Sequence, residues 1–304
     1  MPAQQKGAVA VIGLGIMGGA FAQNLIAAGW RVIGYDTDAS RRRALARAGV
    51  EIVADAGEAA KQAPTIVLSL PSPAALVSTI AAIAASGASR RTVIEASTFA
   101  IEDKVAADAV LRKAGHVMLD CPVSGTGEQA KSKDLVVYAS GEAAAIKRLR
   151  PLFAAFSREV YDVGAFGNGS RMKYVANLLV AIHNVASAEA MVLGMKAGLP
   201  PKLVHDLVKA GAGTSRVFEL RAPMMVKDRY DAPTMKISVW QKDMDVIGSF
   251  AQHIGAPTPL FSATLPVYAA AMSTGHAAHD TAAVCAVLES MAGVKRGKVR
   301  KKKG

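Results

Sequence analysis

Lys173 is a candidate side chain for acid–base chemistry in this sequence, and Asn177 is the polar neighbour that accompanies it. They lie four residues apart in an apolar segment, so a helix would present both on one face. Desolvation lowers the pKa of an ammonium group towards the range in which it exchanges protons with a substrate. A lysine that extends to the surface beside an ordinary polar asparagine explains the same spacing. The residues alone support both interpretations equally.

Gly13, Gly15 and Gly18 form a second chemical motif near the start of the chain. They follow an apolar strand pattern and precede a helical one, which is the context in which G-x-G-x-x-G binds a dinucleotide. A second predicted strand ends in Asp36, whose carboxylate can accept hydrogen bonds from ribose hydroxyls and would repel a 2′-phosphate. The motif therefore predicts NAD rather than NADP as the cofactor. A glycine-rich turn in an unrelated α/β domain is the alternative.

Alternating strand and helix patterns up to about Asp162 must position these residues. They predict an α/β fold, a Rossmann-type doubly wound sheet with mainly parallel strands. The predicted strands are 8–12, 31–35, 50–54, 65–70, 92–95, 117–119, 135–139 and 159–162, and the predicted helices are 20–28, 40–48, 73–85, 102–114 and 142–156. Because such sheets bind ligands beyond the carboxyl ends of their strands, we expect segments 70–72, 95–98 and 120–125 to open onto the ligand crevice.

The strand pattern stops at Gly164, and residues 167–293 are typical of helices separated by glycine and proline. We expect an NAD-binding domain over 1–163, an all-helical domain for substrate binding and dimerisation over 164–293, and a basic tail over 294–304. The tail holds seven lysines and arginines, more than half of the net charge of +12. A disordered, solubilising tail is the prediction, and contact with nucleic acid or an anionic surface is the alternative.

Cysteine usage and the first residues of the chain indicate the cellular setting. Cys121 and Cys285 are far apart and form no metal-ligand pattern, and MPAQQKG has no apolar targeting core. We therefore expect a reduced, cytoplasmic protein. Segment 174–195 is long enough to cross a membrane, but polar side chains interrupt it, which favours a helix buried within the protein.

Four segments resemble the signature blocks of the β-hydroxyacid dehydrogenase family. They are GLGIMGGAFAQNLIAAGW, DCPVSGTGEQAKSKDLVVYASG, GNGSRMKYVANLL with AEAMVLGMKAG, and QKDMD. The similarity runs in order from about residue 8 to residue 292 and leaves the tail outside. It implies an oxidoreductase that transfers hydride between NAD and a small hydroxy acid, interconverting that acid with its oxo acid or semialdehyde.

The resemblance implies a role for individual residues. Lys173 would be the catalytic acid/base, Asn177 would orient the substrate, and Ser124 with Gly125 would bind the substrate carboxylate. Lys242, ahead of Asp243, would close the site from the helical domain. The residues that would line the cofactor are Gly13, Gly15, Ile16, Met17, Gly18, Asp36, Leu70, Pro71, Thr98 and Lys242.

The sequence departs from the family pattern in three places. Ala176 stands where members often have the first of two asparagines, and Thr126-Gly127 replaces a glycine pair. Tyr35-Asp36-Thr37 stands where many members have an Asn-Arg pair that suits NADP. These departures bear on the substrate and the cofactor rather than on the reaction.

Two short segments, 215–224 and 275–284, most resemble the branch of the family that acts on L-threonate. The alternatives are a 3-hydroxyisobutyrate dehydrogenase and a tartronate semialdehyde reductase. Within the second segment His276, His279 and Asp280 could imitate a metal site, but the pattern favours a helix start capped by Asp280, and we expect no metal.

Two other functions are compatible with the predicted fold. A non-catalytic nucleic-acid-binding protein could keep this fold, but inactive relatives lack the lysine found here at 173. A 6-phosphogluconate dehydrogenase would need a much larger helical domain than 167–293. We therefore expect an enzyme that forms a dimer or tetramer through its helical domain and has neither a membrane nor a nucleic-acid partner.

Overall fold

The computed structural model describes residues 6–296. In it, a parallel sheet organises the first half of the chain. Within that range its six strands lie in the order β3-β2-β1-β4-β5-β6. They are β1 (Ala8–Ile12), β2 (Arg31–Tyr35), β3 (Glu51–Ile52), β4 (Thr65–Leu68), β5 (Thr92–Glu95) and β6 (Val117–Asp120). The order reverses between β1 and β4, so the carboxyl ends of these strands form the switch point at which such sheets bind ligands.

Helices cover both faces of this sheet because the strand side chains alternate between two cores. Val9 and Val11 of β1 pack into one core, and Ala10 and Ile12 pack into the other. The helices between the strands are α1 (Ile16–Ala27), α2 (Ala39–Arg47), α3 (Ala56–Gln62), α4 (Pro73–Ala84) and α5 (Ile101–Lys113). The sequence reading missed α3, a short helix capped by the side chain of Asp55. The Rossmann-type fold is confirmed.

A second, smaller sheet follows, in the order β7-β8-β9. Its strands are β7 (Val123–Ser124), β8 (Val136–Ala139) and β9 (Glu159–Asp162), connected through α6 (Gly127–Lys131) and α7 (Ala143–Phe156). The prediction that segments 135–139 and 159–162 continue the main sheet is wrong. Pro122 has no N–H with which to extend the ladder beyond β6, and β7 turns back to pair antiparallel with β8.

The chain divides into two compact units, Met1–Val175 and Ala176–Gly304. The division falls inside α8 (Asn168–Lys196), later than the change of pattern after Val163. The other helices are α9 (Pro201–Ala210), α10 (Arg216–Lys227), α11 (Ile237–His253), α12 (Pro259–Ala271) and α13 (Val284–Ala292), with a π-helical turn at Met272–His276 and a 3-10 turn at Thr281–Ala283. Between 165 and 296 the structure contains no strand, which confirms the all-helical prediction.

Helix α8 is the one helix within residues 6–296 that is long and apolar enough to cross a membrane by length and composition alone. Core helices of soluble proteins meet the same criterion, so this is weak support for a membrane span. Polar side chains nevertheless lie along its buried face at Ser170, Lys173, Asn177 and Asn184. Their spacings of three, four and seven residues place them on one helix face.

The start of the predicted tail is ordered. Arg296, which the sequence reading placed in the tail, forms an ion pair with Glu289 and donates hydrogen bonds to the carbonyl oxygens of Met225 and Val226. The guanidinium group thus connects the residues just after α13 to α10 and to α13 itself. Residues 297–304, which hold five of the seven basic residues, lie outside the described residues.

Candidate functional site

The glycine loop joins β1 to α1 through a backbone turn that side chains would not fit. Gly13 has a φ of +87°, and a Cβ atom there would overlap the carbonyl oxygen of Ser69. A Cβ atom on Gly18 would overlap the carbonyl oxygen of Gly13. The first turn of the helix therefore packs directly against the end of the strand, as the dinucleotide-binding motif requires.

The amino-terminal end of α1 is built to receive an anion. Gly15 precedes the helix without a side-chain cap, and no acidic residue lies in the first turn. A Cβ on Gly15 would have only the guanidinium of Arg41 nearby, at 3.7 Å. Ile16 is 71% exposed. Free N–H groups and the positive end of the helix dipole suit a pyrophosphate, so these residues fit the diphosphate of a dinucleotide.

Asp36 follows β2 and is only 6% exposed. Its Oδ2 accepts a hydrogen bond of 2.7 Å from the Leu14 N–H, and its Oδ1 accepts one of 2.8 Å from the Asp38 N–H. A carboxylate has about four acceptor positions, so the group can still bind ribose hydroxyls beside these contacts. The carboxylate thus holds the glycine loop in place as well, a role that the sequence reading missed.

Two arginines at the start of α2 contact Asp36, one at its carboxylate and one at its backbone carbonyl. Arg41 Nη1 lies 3.4 Å from Asp36 Oδ2, and Arg42 Nη1 donates a 2.6 Å hydrogen bond to the Asp36 carbonyl oxygen. Neither was expected to belong to the site. Their position in the run SRRR, in the first turn of the helix that follows β2, is the signal by which they could have been found.

The remaining predicted cofactor residues follow the carboxyl ends of neighbouring strands. Leu70 and Pro71 come after β4, and Thr98 comes after β5. The Leu70 N–H donates a 2.8 Å hydrogen bond to Ser97 Oγ, which connects the two strand ends. These loops therefore lie at one edge of the parallel sheet, the edge at which the glycine loop also lies.

Ser124 ends β7 and Gly125 begins the turn to α6, and both are partly exposed. Thr126 and Gln129 form a capping box at the start of α6, with the Thr126 N–H donating to Gln129 Oε1 at 3.0 Å. The threonine that replaces a family glycine therefore stabilises the helix that follows the predicted carboxylate-binding turn. A serine hydroxyl next to a backbone N–H can fork a carboxylate.

Lys173 lies in the first part of α8, within the first unit, and is 8% exposed. Ser170, one helical turn before Lys173, and Tyr174, directly after it, are also buried. Burial raises the pKa of the Tyr174 phenol, whose hydroxyl group donates to the Phe99 carbonyl oxygen. The lysine amine is therefore largely shielded from water and has buried polar neighbours.

Asn177 and Lys242 belong to the second unit. Asn177 Nδ2 donates a 2.8 Å hydrogen bond to Asp243 Oδ2, and Lys242 Nζ lies 3.7 Å from Asp243 Oδ1. Asp243 thus joins two of the predicted site residues. It was absent from the predicted set, although it stands next to Lys242 in the sequence block that identified that lysine.

Asp280 caps the 3-10 turn at Thr281, because its Oδ1 accepts a 2.9 Å hydrogen bond from the Ala282 N–H. This confirms the predicted cap. The same carboxylate pairs with Arg221 at 2.6 Å, and both groups are buried. His276 and His279 contact each other through their Nδ1 atoms. In the part of the chain that the structure describes, no three His, Cys, Asp or Glu side chains are placed to hold a metal ion.

Two family models match this chain, one over each half. The model described as the NAD binding domain of 6-phosphogluconate dehydrogenase matches residues 8–164. The model described as NAD-binding of NADP-dependent 3-hydroxyisobutyrate dehydrogenase matches residues 167–288. The boundary between the two matches lies just before α8.

Individual proteins match over nearly the whole chain. An L-threonate dehydrogenase of Cupriavidus necator is 32% identical over 280 residues, which cover 91% of this chain and 94% of that protein. An NAD-dependent L-serine dehydrogenase of Pseudomonas aeruginosa is 30% identical over 285 residues, or 91% and 96% of the two chains. A crystal structure of 3-hydroxyisobutyrate dehydrogenase from Salmonella typhimurium has a TM-score of 0.83 at 30% identity and covers 92% of this chain and 99% of that one.

Proposed function

This chain belongs to the β-hydroxyacid dehydrogenase family and is an NAD-dependent oxidoreductase of hydroxy acids, and we propose that its substrate is L-threonate or a close analogue. Relatives named L-threonate dehydrogenase support this choice, as do segments 215–224 and 275–284. L-Threonate is a sugar acid, so the proposal places the enzyme in carbohydrate metabolism. The proposed reaction type is supported above all by one observation. Lys173 is buried on α8, the helix that follows the dinucleotide-binding sheet.

The cofactor site proposed for NAD lies in the first unit. The N–H groups at the start of α1 would hold the diphosphate, and the Asp36 carboxylate would accept hydrogen bonds from the adenosine ribose. The fit rests on the uncapped helix start and on the glycine loop, which has no room for side chains. When bound, the nicotinamide supplies the hydride chemistry, as acceptor in oxidation and donor in reduction.

Lys173 is the proposed acid/base. During oxidation its Nζ atom would accept the hydroxyl proton of the substrate, and during reduction it would return that proton. Asn177 would hold the same hydroxyl group in line, since it follows Lys173 by one helical turn. Ser124 Oγ and the N–H of Gly125 would hold the substrate carboxylate, and Lys242 would attract the anionic substrate.

A substrate screen tests this proposal. The purified enzyme is incubated with NAD and hydroxy acids of three to five carbons, among them L-threonate, L-serine, 3-hydroxyisobutyrate and D-glycerate, and NADH is followed by absorbance. We expect the highest kcat/KM with L-threonate and no turnover by Lys173→Ala. A higher kcat/KM with 3-hydroxyisobutyrate, or with D-glycerate (the reverse of tartronate semialdehyde reduction), would replace L-threonate by that substrate.

A homo-oligomer, dimer or tetramer, is proposed through the helical unit. Several of its leucines are strongly exposed, among them Leu193 in α8, Leu207 in α9 and Leu260 in α12. Light scattering coupled to gel filtration measures the mass, and a purely monomeric protein would refute this point. We further propose a cytoplasmic location, because Cys121 and Cys285 are buried free thiols that suit a reducing compartment.

A further inference from the structure

A lysine without a role in the proposed reaction lies at the centre of the first unit. Lys104 in α5 is 0% exposed. Its Nζ atom is 2.6 Å from Glu95 Oε2 and 2.8 Å from Asp120 Oδ1, and it donates a 2.7 Å hydrogen bond to the Ser97 carbonyl oxygen. Burial alone would lower the pKa of Lys104, but the two carboxylates raise it above its ordinary value. A buried cation held in this way is a fixed part of the fold.

The two carboxylates stand side by side at the edge of the sheet. Glu95 ends β5 and Asp120 ends β6, and the two residues are direct partners in the strand register. Two like charges at neighbouring buried positions repel each other strongly. Lys104 offsets this repulsion, and its contact with Oδ1 determines the direction in which the Asp120 carboxylate points.

The oriented Asp120 carboxylate in turn binds the first turn of helix α8. Its Oδ2 accepts a 2.8 Å hydrogen bond from the Ser170 N–H, and its Oδ1 accepts one of 2.8 Å from Ser170 Oγ. Ser140 Oγ donates to the Asp120 carbonyl oxygen and accepts a 3.0 Å bond from the Gly169 N–H. A Cβ atom on Gly169 would approach the carbonyl oxygens of Tyr138 and Asp120 too closely for any side chain to fit. The first turn of the helix is thus held at the ends of two strands, β6 through Asp120 and β8 through Ser140.

We propose that Lys104, Asp120 and Ser170 form a positioning array for Lys173. Lys104 orients the Asp120 carboxylate, which fixes the first turn of α8 and hence the direction in which the Lys173 side chain leaves the helix three residues later. Tyr174 provides a second anchor directly after Lys173, through its hydroxyl bond to Phe99. This inference rests on the proposed role of Lys173 as acid/base.

Ser170→Ala is the deciding variant, because it removes one bond to Asp120 and leaves the rest of the core intact. A misplacement of about 1 Å can cost about 100-fold in rate, so we expect partial release of the turn to lower kcat roughly tenfold. The KM for NAD should stay within about twofold, since the glycine loop lies elsewhere in the unit. Ser170→Thr, which keeps the hydroxyl group, should restore kcat.

Ser187→Ala is the matched control. Ser187 is a buried serine on the same helix, but its hydroxyl group bonds to the His183 carbonyl oxygen of that helix rather than to a neighbouring strand. Its kcat should stay within about twofold of wild type even if its Tm falls, because no catalytic group is displaced. Equal losses of kcat in the two alanine variants, or an unchanged kcat in Ser170→Ala, would overturn the proposal.

A readout without turnover separates this inference from the proposed function. Trinitrobenzenesulfonate labels lysine amines, and peptide mass spectrometry gives the labelling rate of Lys173 alone. We expect Ser170→Ala, and Lys104→Met where it folds, to change this rate at least about threefold, with Ser187→Ala unchanged. An unchanged rate in Ser170→Ala overturns the positioning array. A wild-type enzyme inactive on every hydroxy acid, with the labelling shift present, refutes the proposed function but leaves the array standing.

Discussion

The Asn177 side chain donates a 2.8 Å hydrogen bond through Nδ2 to Oδ2 of Asp243. A carboxylate can only accept, so this contact fixes the amide group with its nitrogen towards Asp243 and its oxygen away. Asp243 is buried and also lies 3.7 Å from Lys242. The pair therefore presets the orientation of an amide group that the proposed reaction uses to hold the substrate.

Asn177→Ala should lower kcat by about tenfold, less than the loss of the acid/base, because the substrate loses an orienting contact and keeps its proton acceptor. The buried Asp243 carboxylate also loses a donor, which should cost about 1–3 kcal/mol of stability. Steady-state kinetics and thermal unfolding measure the two effects. Asn184→Ala is the control, since Asn184 is a buried asparagine of the same helix that bonds to Tyr268 and Thr281. It should lose stability alone, and a similar fall in kcat for both variants would contradict the assignment.

Lys173→Ala should abolish detectable turnover and leave NADH binding nearly intact. General acid–base groups contribute on the order of 100- to 10,000-fold, and the motif has no second amine to take over. Fluorescence titration with NADH tests binding, and single-turnover kinetics test the chemical step. Lys196→Ala, at the exposed far end of the same helix, should behave as wild type. A near-normal kcat in Lys173→Ala would contradict the proposed acid/base role of this lysine.

Asp36→Asn should reduce the preference for NAD over NADP, because it removes the charge that repels a 2′-phosphate. An amide has one acceptor oxygen, so either the Leu14 or the Asp38 N–H also loses its partner and overall activity should fall. The ratio of kcat/KM for the two cofactors is therefore the quantity to compare. Asp55→Asn, at the cap of α3, should leave that ratio unchanged. A wild-type enzyme that prefers NADP would refute the role given to Asp36.

Two truncations test which residues of the basic end stabilise the fold. Removal of residues 297–304 should leave kcat and Tm unchanged. Removal of residues 294–304 also deletes Arg296, the ion-pair partner of Glu289, and should cost about 1–3 kcal/mol. Differential scanning fluorimetry and the standard assay measure both, and Glu289→Gln in the full chain should reproduce part of the loss. Equal Tm values for the two truncations would show that Arg296 contributes nothing.

Much of the fold and of the candidate site could be predicted from the sequence because the signals are local. The glycine spacing, Asp36 at a strand end and the four-residue step from Lys173 to Asn177 each lie within one strand, turn or helix. Periodicity then separates the strand-rich first unit from the helical second one. Lys104 carried such a signal too, since it shares the spacing of buried Ala107, Asp108 and Leu111 in α5, but it was not recognised.

The sequence by itself determined the Rossmann-type order of elements, the dinucleotide motif and the helix that carries Lys173, the proposed acid/base. Only the tertiary structure decided that β7 to β9 form a separate sheet, that Asp120 binds Ser170 fifty residues later, and that Asn177 binds Asp243. The reason is physical. Backbone conformation and the apolar period follow from neighbouring residues, whereas the partner of a buried polar group is whichever residue the packing brings within about 3 Å of it.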